Sequence, residues 1–171
     1  MDADQIVCAP LNHIWEGDFD IGVVQNSNPR EFQSYSYQFM NINPLQYVNN
    51  GLVVMKNPEF VDHWLSLCNS PIFTACQMRE QDLLNILCLQ NYNIKYLDAS
   101  HQWHGLISKG FGPSMKVVDN KIVLPKNEEW NKDEDKEIVV IHFGGGNDPN
   151  KGKIRLLYPE EVVKKLEEMI K

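Results

Sequence analysis

In VNNGLVVMKNPEFVDHWLSLC, Val48–Cys68, a segment suited to a buried strand runs directly into one suited to a helix. Gly51–Lys56 is an apolar run, short and rich in β-branched residues, as in a strand covered on both faces. Asn57 then stands where a helix N-cap belongs, with Pro58 at the first helical position. Phe60, Trp64 and Leu67 or Cys68 recur at helical spacing behind it. A covered strand feeding a capped helix is the basic step of an α/β fold, and the rest of the chain repeats its parts.

Upstream, DFDIGVVQN, Asp18–Asn26, reads as a strand behind a turn. Downstream, REQDLLNILCLQN, Arg79–Asn91, has a second apolar helical face made by Leu83, Leu84, Leu87 and Cys88. NIKYLD, Asn93–Asp98, predicts a strand, and GLISKGFGPS, Gly105–Ser114, an irregular loop. MKVVDNKIVLP predicts a hairpin with Asp119-Asn120 at its tip. IVVIHF, Ile138–Phe143, has the continuous apolar character of a central strand. The closing PEEVVKKLEEMIK predicts an amphipathic helix. Val162 or Val163, Leu166, Met169 and Ile170 would face inward, with Glu160–Lys164 and Glu161–Lys165 four apart on the outer surface. The polar tract Asn127–Glu137 reads as a solvated loop or helix face. The expectation is a mixed α/β sheet flanked by helices, with residues 1–171 forming one domain.

Composition narrows the function. A net charge of −7 argues against a basic surface for nucleic acid or anionic lipid. No apolar run is long enough to span a bilayer, and no signal peptide opens the chain. The four cysteines, Cys8, Cys68, Cys76 and Cys88, form no C-x-x-C or zinc spacing. Reduced core thiols in a cytoplasmic protein are the expectation.

Four stretches could carry chemistry. Asp2 and Asp4 are two apart, so an extended segment would put both carboxylates on one face, where a hard divalent cation can be shared. Asp18 and Asp20 repeat the spacing, but in what reads as a turn. His142 ends the best strand and is followed by Gly144 and Gly145, which would let backbone N–H groups approach a diphosphate. An imidazole can join two carboxylates around Mn2+, which accepts nitrogen more readily than Mg2+. Asn49, Asn50 and Gly51 bring two amides, able to donate to and accept from sugar hydroxyls, into a strand. In EQDLLN, Glu80–Asn85, Asp82 lies in the first turn of a helix, where the dipole favours an acid. A zinc site using His101, His104 and His142 is disfavoured, because HQWHG lacks a partner glutamate and reads as a loop.

Taken in order, D-x-D, N-N-G, E-Q-D-x-L-N and H-F-x-G resemble the retaining GT-A glycosyltransferases of the glycogenin and lipopolysaccharide-galactosyltransferase type. Their motifs run D-x-D, N-S-G, D-Q-D-x-L-N and H-F-x-G. The resemblance extends from Met1 to about Asn147. It implies that Asp2, Asp4 and His142 hold Mn2+ (or Mg2+) on the donor diphosphate, and that Asn49, Asn50 and Gly51 flank the donor sugar. Gln81 and Asp82 would lie at the reacting sugar, and Gly144 and Gly145 at the phosphates. The activity implied is hexosyl transfer from a nucleotide-diphosphate sugar, most simply a UDP-hexose, to a glycan or other hydroxyl acceptor.

This sequence departs from the pattern at Glu80, at Asn50 and after His142. There Asp148 stands near the family's lysine, leaving Lys151 or Lys153 for the phosphates. In that family the D-x-D follows an N-terminal nucleotide-binding half, so a partial GT-A domain starting at its D-x-D is expected. Such a domain could self-associate through an uncovered edge. The alternative is a non-catalytic remnant that serves as a folded interaction module.

Overall fold

The computed structural model describes residues 5–25, 46–104, 115–126, 134–142 and 158–171. They divide into two compact units, one built on Asn12–Ala99 and one on Asp2–Leu11 with Ser100–Lys171.

The first unit is a three-stranded mixed sheet with helices. Its strands are β2 (Ile21–Gln25), β3 (Val48–Met55) and β4 (Ile94–Leu97), in the order β3-β2-β4. β2 pairs antiparallel with β3 and parallel with β4. The helices are α1 (Pro58–Cys68), the single turn α2 (Ile72–Ala75) and α3 (Glu80–Cys88). The α1 start follows the sequence: Asn57 is extended (φ −94°, ψ 115°) and its side chain accepts from Glu59 N at 2.9 Å. That bond satisfies one of the donors a helix start leaves open. Ile21, Val23, Val48, Phe60, Leu84 and Leu87 form the core, with Trp64, Leu67 and Cys88 packed against it. The apolar stripes of α1 and α3 thus cover the sheet, as their periodicity predicts. β3 starts at Val48, three residues before the apolar run that announces it.

The second unit holds β1 (Gln5–Val7), β5 (Trp103–His104) and β9 (Val140–His142) in the order β1-β9-β5. An antiparallel meander of β6 (Lys116–Val118), β7 (Lys121–Leu124) and β8 (Lys136–Glu137) accompanies it, with helix α4 (Glu160–Ile170). β9 is central and Ile138–His142 is buried throughout. Met115, Ile122, Leu124, Ile138, Ile141, Tyr158, Val162, Val163 and Leu166 form this core.

Two expectations need correction here. Ile170 is 49% exposed and is not part of the inward face of α4. On the outer surface of α4, where Glu160, Glu161 and Lys164 are exposed, Glu161 Oε1 accepts from Val117 N and Lys165 Nζ donates to Asn120 Oδ1. The end of the acidic tract, Lys136–Glu137, is an edge strand and not a solvated loop or helix face. Charges here pair between neighbouring segments, Lys121 with Glu137 and Lys116 with Asp135, both at 2.7 Å.

The hairpin tip is as read from the sequence. Asp119 and Asn120 both have positive φ, 48° and 66°, the pattern of a type I′ turn. Asn120→Val puts a β-branched side chain into the left-handed region and is expected to cost about 1–2 kcal/mol, read as a lower midpoint in urea.

The four cysteines are free. Burial pushes the Cys8 and Cys88 thiols up to about 12. Among the described residues no helix is long and apolar enough to cross a membrane.

Candidate functional site

The site begins with an irregularity in β3. Its pairing with β2 runs Ile21↔Met55, Gly22↔Val54 and Val23↔Val53, then shifts to Val24↔Asn49 and Gln25↔Val48. Asn50, Gly51 and Leu52 therefore have no Cα partner in β2. Such a bulge leaves backbone groups without ladder partners, and buried ones must be satisfied otherwise. Side chains do this here. Gly51 N donates to Asn49 Oδ1 at 2.7 Å, and Asn50 N donates to Gln81 Oε1 at 3.3 Å. Asn50 Nδ2 reaches Glu80 Oε1 at 3.2 Å. The last two residues of N-N-G thus lie in the bulge, and Glu80 and Gln81 of E-Q-D hold Asn50 there.

α3 meets β3 through an amide and a carboxylate. Asn85, 2% exposed, accepts from Val48 N at 2.8 Å and donates to Val48 O at 2.9 Å and to Gln81 O at 2.8 Å. Its side chain substitutes for a neighbouring strand at Val48, the first residue of β3. Asp82 is fully buried. Its Oδ1 accepts from Tyr47 Oη at 2.7 Å, and its Oδ2 accepts from Met78 N at 2.9 Å. Gln81 Nε2 donates to the same Tyr47 Oη at 3.3 Å.

The direction of this chain is fixed by backbone donors. Met78 N and Asn50 N can only donate, so Asp82 and Gln81 Oε1 must accept. The Gln81 amide is thereby held with its oxygen toward the bulge and its nitrogen toward Tyr47.

The turn before α3 is strained. Arg79 has φ 50° and ψ −123°, inside a turn closed by Gln81 N→Met78 O at 3.0 Å. A non-glycine residue there costs about 1–3 kcal/mol and persists only when surrounding contacts enforce it. Asp82 on Met78 N and Trp64 Nε1 on Glu80 O, at 3.0 Å, are such contacts.

The structure thus brings Asn49, Asn50, Gly51, Gln81 and Asp82 together in the first unit. His142 belongs to the second unit, where it ends β9 and is 6% exposed. Its Cα partners are Gln5 on one side and His104 on the other. The H-x-x-H stretch is not a loop: Ala99–Gln102 is a 3-10 turn and Trp103–His104 is β5. Among the described residues no group of three His, Cys, Asp or Glu is arranged to hold a metal ion. Asp2, Asp4, Gly144, Gly145, Lys151 and Lys153 lie outside the described residues.

The donor set implied for a cation, two carboxylates and one imidazole, suits Mn2+ chemically. Across the β1–β9 pairing from His142 lies Gln5. Both polar atoms of Gln5, the residue opposite, are buried without a hydrogen-bond partner among the described residues.

Asp18 and Asp20 lie in the bend that leads into β2, and Asp20 is half-buried and not merely solvated. Its carboxylate accepts from Asn57 Nδ2 at 2.9 Å and Asn93 N at 2.8 Å, tying α1 and β4 to the start of β2. Sequence reasoning missed Tyr47 and the role of Asn85. Asn85 was within reach, since it lies four residues after Gln81 and three after Asp82 on one helical face. Tyr47 gave no local signal.

No protein-family model matches the sequence, and no curated protein matches it significantly. Among solved structures, the chain is similar to galactosyltransferase LgtC in complex with donor and acceptor sugar analogs, at 17% identity and a TM-score of 0.57. That match covers 95% of this chain and 63% of the other. It is also similar to an active-site mutant of LgtC carrying a glutamine-to-glutamate replacement, at 14% identity and a TM-score of 0.62. There the shares are 98% and 58%, so the chain spans roughly three-fifths of the structures it resembles. The fold is accordingly a mixed α/β fold of the GT-A-like glycosyltransferase type.

Proposed function

We propose that the chain is a glycosyltransferase that moves a hexose from a nucleotide-diphosphate sugar, most simply a UDP-hexose, to a glycan or other hydroxyl acceptor. The observation that carries this reading is the bulge that takes Asn50 and Gly51 out of the β2 ladder, with Asn50 N held by Gln81 and Val48 beside it held by Asn85, within a galactosyltransferase-like fold.

Asp2, Asp4 and His142 would hold Mn2+ (or Mg2+), and Gly144, Gly145, Lys151 and Lys153 would meet the phosphates. When bound, the cation supplies charge neutralisation for the departing nucleoside diphosphate. Asn49, Asn50 and Gly51 would line the donor sugar. Their backbone is fixed before any ligand arrives, so little ordering is left to do on binding. Gln81 is the candidate for contact with the sugar, held by Asn50 N and Tyr47 Oη. The neighbouring LgtC structure is likewise of an active-site mutant at a glutamine. Asp82, fully buried and accepting from Tyr47 and Met78, supports that arrangement from behind and would act on a retaining reaction from there.

Calorimetric titration of UDP with and without Mn2+ tests the reading. Binding should require Mn2+ and fall at least tenfold in Asp4→Asn, which removes one anionic ligand. A folded wild-type chain that binds no UDP would overturn the reading and leave the non-catalytic interaction module.

A further inference from the structure

Asn50–Gly51 is the single Asn-Gly pair in the chain. Such a pair is chemically labile in water, because the glycine, with no Cβ, lets its backbone nitrogen close on the asparagine Cγ. Ring closure forms the N–Cγ bond and breaks the Cγ–Nδ2 bond. The proton lost by the glycine nitrogen leaves with the amide as ammonia. Water then opens the cyclic imide to an aspartyl or isoaspartyl residue. No oxidant or cofactor enters the reaction.

In a regular ladder the strand pairing would hold these atoms in place. Asn50 and Gly51 have no Cα partner in β2, so side chains must do so instead. Glu80 Oε1 accepts from Asn50 Nδ2, the leaving group, at 3.2 Å. Asn49 Oδ1 accepts from Gly51 N, the nucleophile, at 2.7 Å. Attack requires both bonds to break, since the Gly51 nitrogen must lose its proton and the Asn50 carboxamide must turn toward it. Glu80 is exposed and Asn50 half-buried, so water reaches the edge of the segment. In the glycosyltransferase motifs these two positions are serine and aspartate. This chain carries a labile residue there and, bonded to it, an acid one methylene longer.

We infer that Asn50 is a latent modification site, prone to deamidation and kept unreactive by its bond to Glu80. This chemistry is independent of what the chain binds. Deamidation sets a second carboxylate beside Glu80, where like charges repel, and an isoaspartyl product adds an atom to the main chain of β3. The change does not reverse, so it removes the bulge's hold on E-Q-D in every molecule that undergoes it.

The test follows Asn50 by peptide mapping and mass spectrometry in warm, mildly alkaline buffer. Wild type, Glu80→Asp and Glu80→Gln are compared natively, and the wild type also in concentrated urea. Glu80→Asp keeps the charge but falls short of Asn50, whereas Glu80→Gln loses the charge and keeps an acceptor oxygen at the same reach. The urea-unfolded chain should lose the amide at least about tenfold faster than the native one. Glu80→Asp should lose it about threefold to tenfold faster than wild type, the effect of one charge-assisted hydrogen bond on a barrier. Glu80→Gln should stay within about twofold of wild type. Position 80 is exposed, so both variants should fold, and melting curves check this.

An Asn50 that survives in urea overturns the inference, because the pair is then not labile. Equal rates in native and unfolded wild type overturn it too, since nothing would be held back. A folded Glu80→Asp that is no faster than wild type would show that Glu80 is not the lock. Glu80→Gln as fast as Glu80→Asp would trace the effect to charge and not to the bond, with the same consequence.

Discussion

Asp82→Ala is expected to lower folding stability by about 3–5 kcal/mol, a large share of what a domain this size commands. The substitution strips acceptors from Tyr47 Oη and Met78 N, both bonded to the carboxylate. It also leaves a void beside residues that are 0–4% exposed, including Leu83 and Gln81. Each buried donor left unsatisfied costs about 1–3 kcal/mol, and the cavity adds to that.

Asp82→Asn should cost less, about 1–3 kcal/mol, but not nothing. Tyr47 and Met78 both donate, and an amide has only one acceptor end, so one of them must meet an NH2 group. Urea denaturation followed by circular dichroism gives both values. Near-equal stability of wild type and Asp82→Ala would mean the carboxylate is not the anchor of this network. Transfer assays on Asp82→Asn, at a temperature where it is folded, then separate its chemical role from its structural one.

Asn85→Asp should be comparably damaging, about 3–5 kcal/mol, although it changes a single amide to a carboxylate of the same shape. The Asn85 amide donates to two carbonyls, Val48 O and Gln81 O, while its oxygen accepts from Val48 N. An aspartate keeps the acceptor and turns the other end into an anion facing two carbonyl oxygens in a site 2% exposed. Asn85→Ala should fall between the wild type and this variant, since it leaves groups unpaired without burying a charge. Amide hydrogen exchange supplies a local readout: in Asn85→Ala the Val48 and Asn50 amides should exchange faster, because the bulge has lost its clamp. Protection equal to wild type at Val48 would show that the clamp is not what holds β3 there.

These two side chains also show how a motif can be legible while its use is not. E-Q-D-x-L-N stands out in the sequence as a charged and amide-bearing start to an apolar helix, and the helix dipole alone would justify its acids. The structure gives a different reason. Asp82 faces inward to Tyr47, 35 positions earlier, and Asn85 reaches Val48, 37 positions earlier. Local sequence cannot report which distant donor a buried acceptor will meet. The same holds at Asp20, whose spacing with Asp18 reads as a turn but whose carboxylate joins Asn57 and Asn93.

Period and punctuation were enough for the elements themselves. Asn57-Pro58 set the start of α1, the Leu83–Leu87 spacing set the buried face of α3, and Asp119-Asn120 set the hairpin tip. These are short-range effects of capping, helical repeat and left-handed tolerance, so a few neighbouring residues suffice. The burial of Ile138–His142 was equally readable, because a continuous apolar run has nowhere else to go. Where periodicity ran past the packing, at Ile170, it erred: amphipathic spacing says which face points inward, not how far the facing surface extends.

The sequence by itself determined the alternation of strands and helices, the capping signals and the ordered series of motifs that resembles a glycosyltransferase. Only the tertiary structure decided that Asn50–Leu52 bulge out of the β2 ladder, that Gln81 meets Asn50 N while Asn85 holds Val48 beside it, and that Gln5 carries a buried amide with no partner among the described residues. The reason is that strand register and polar satisfaction depend on which segments meet in space. A chain encodes that pairing through its whole core and not through any one motif.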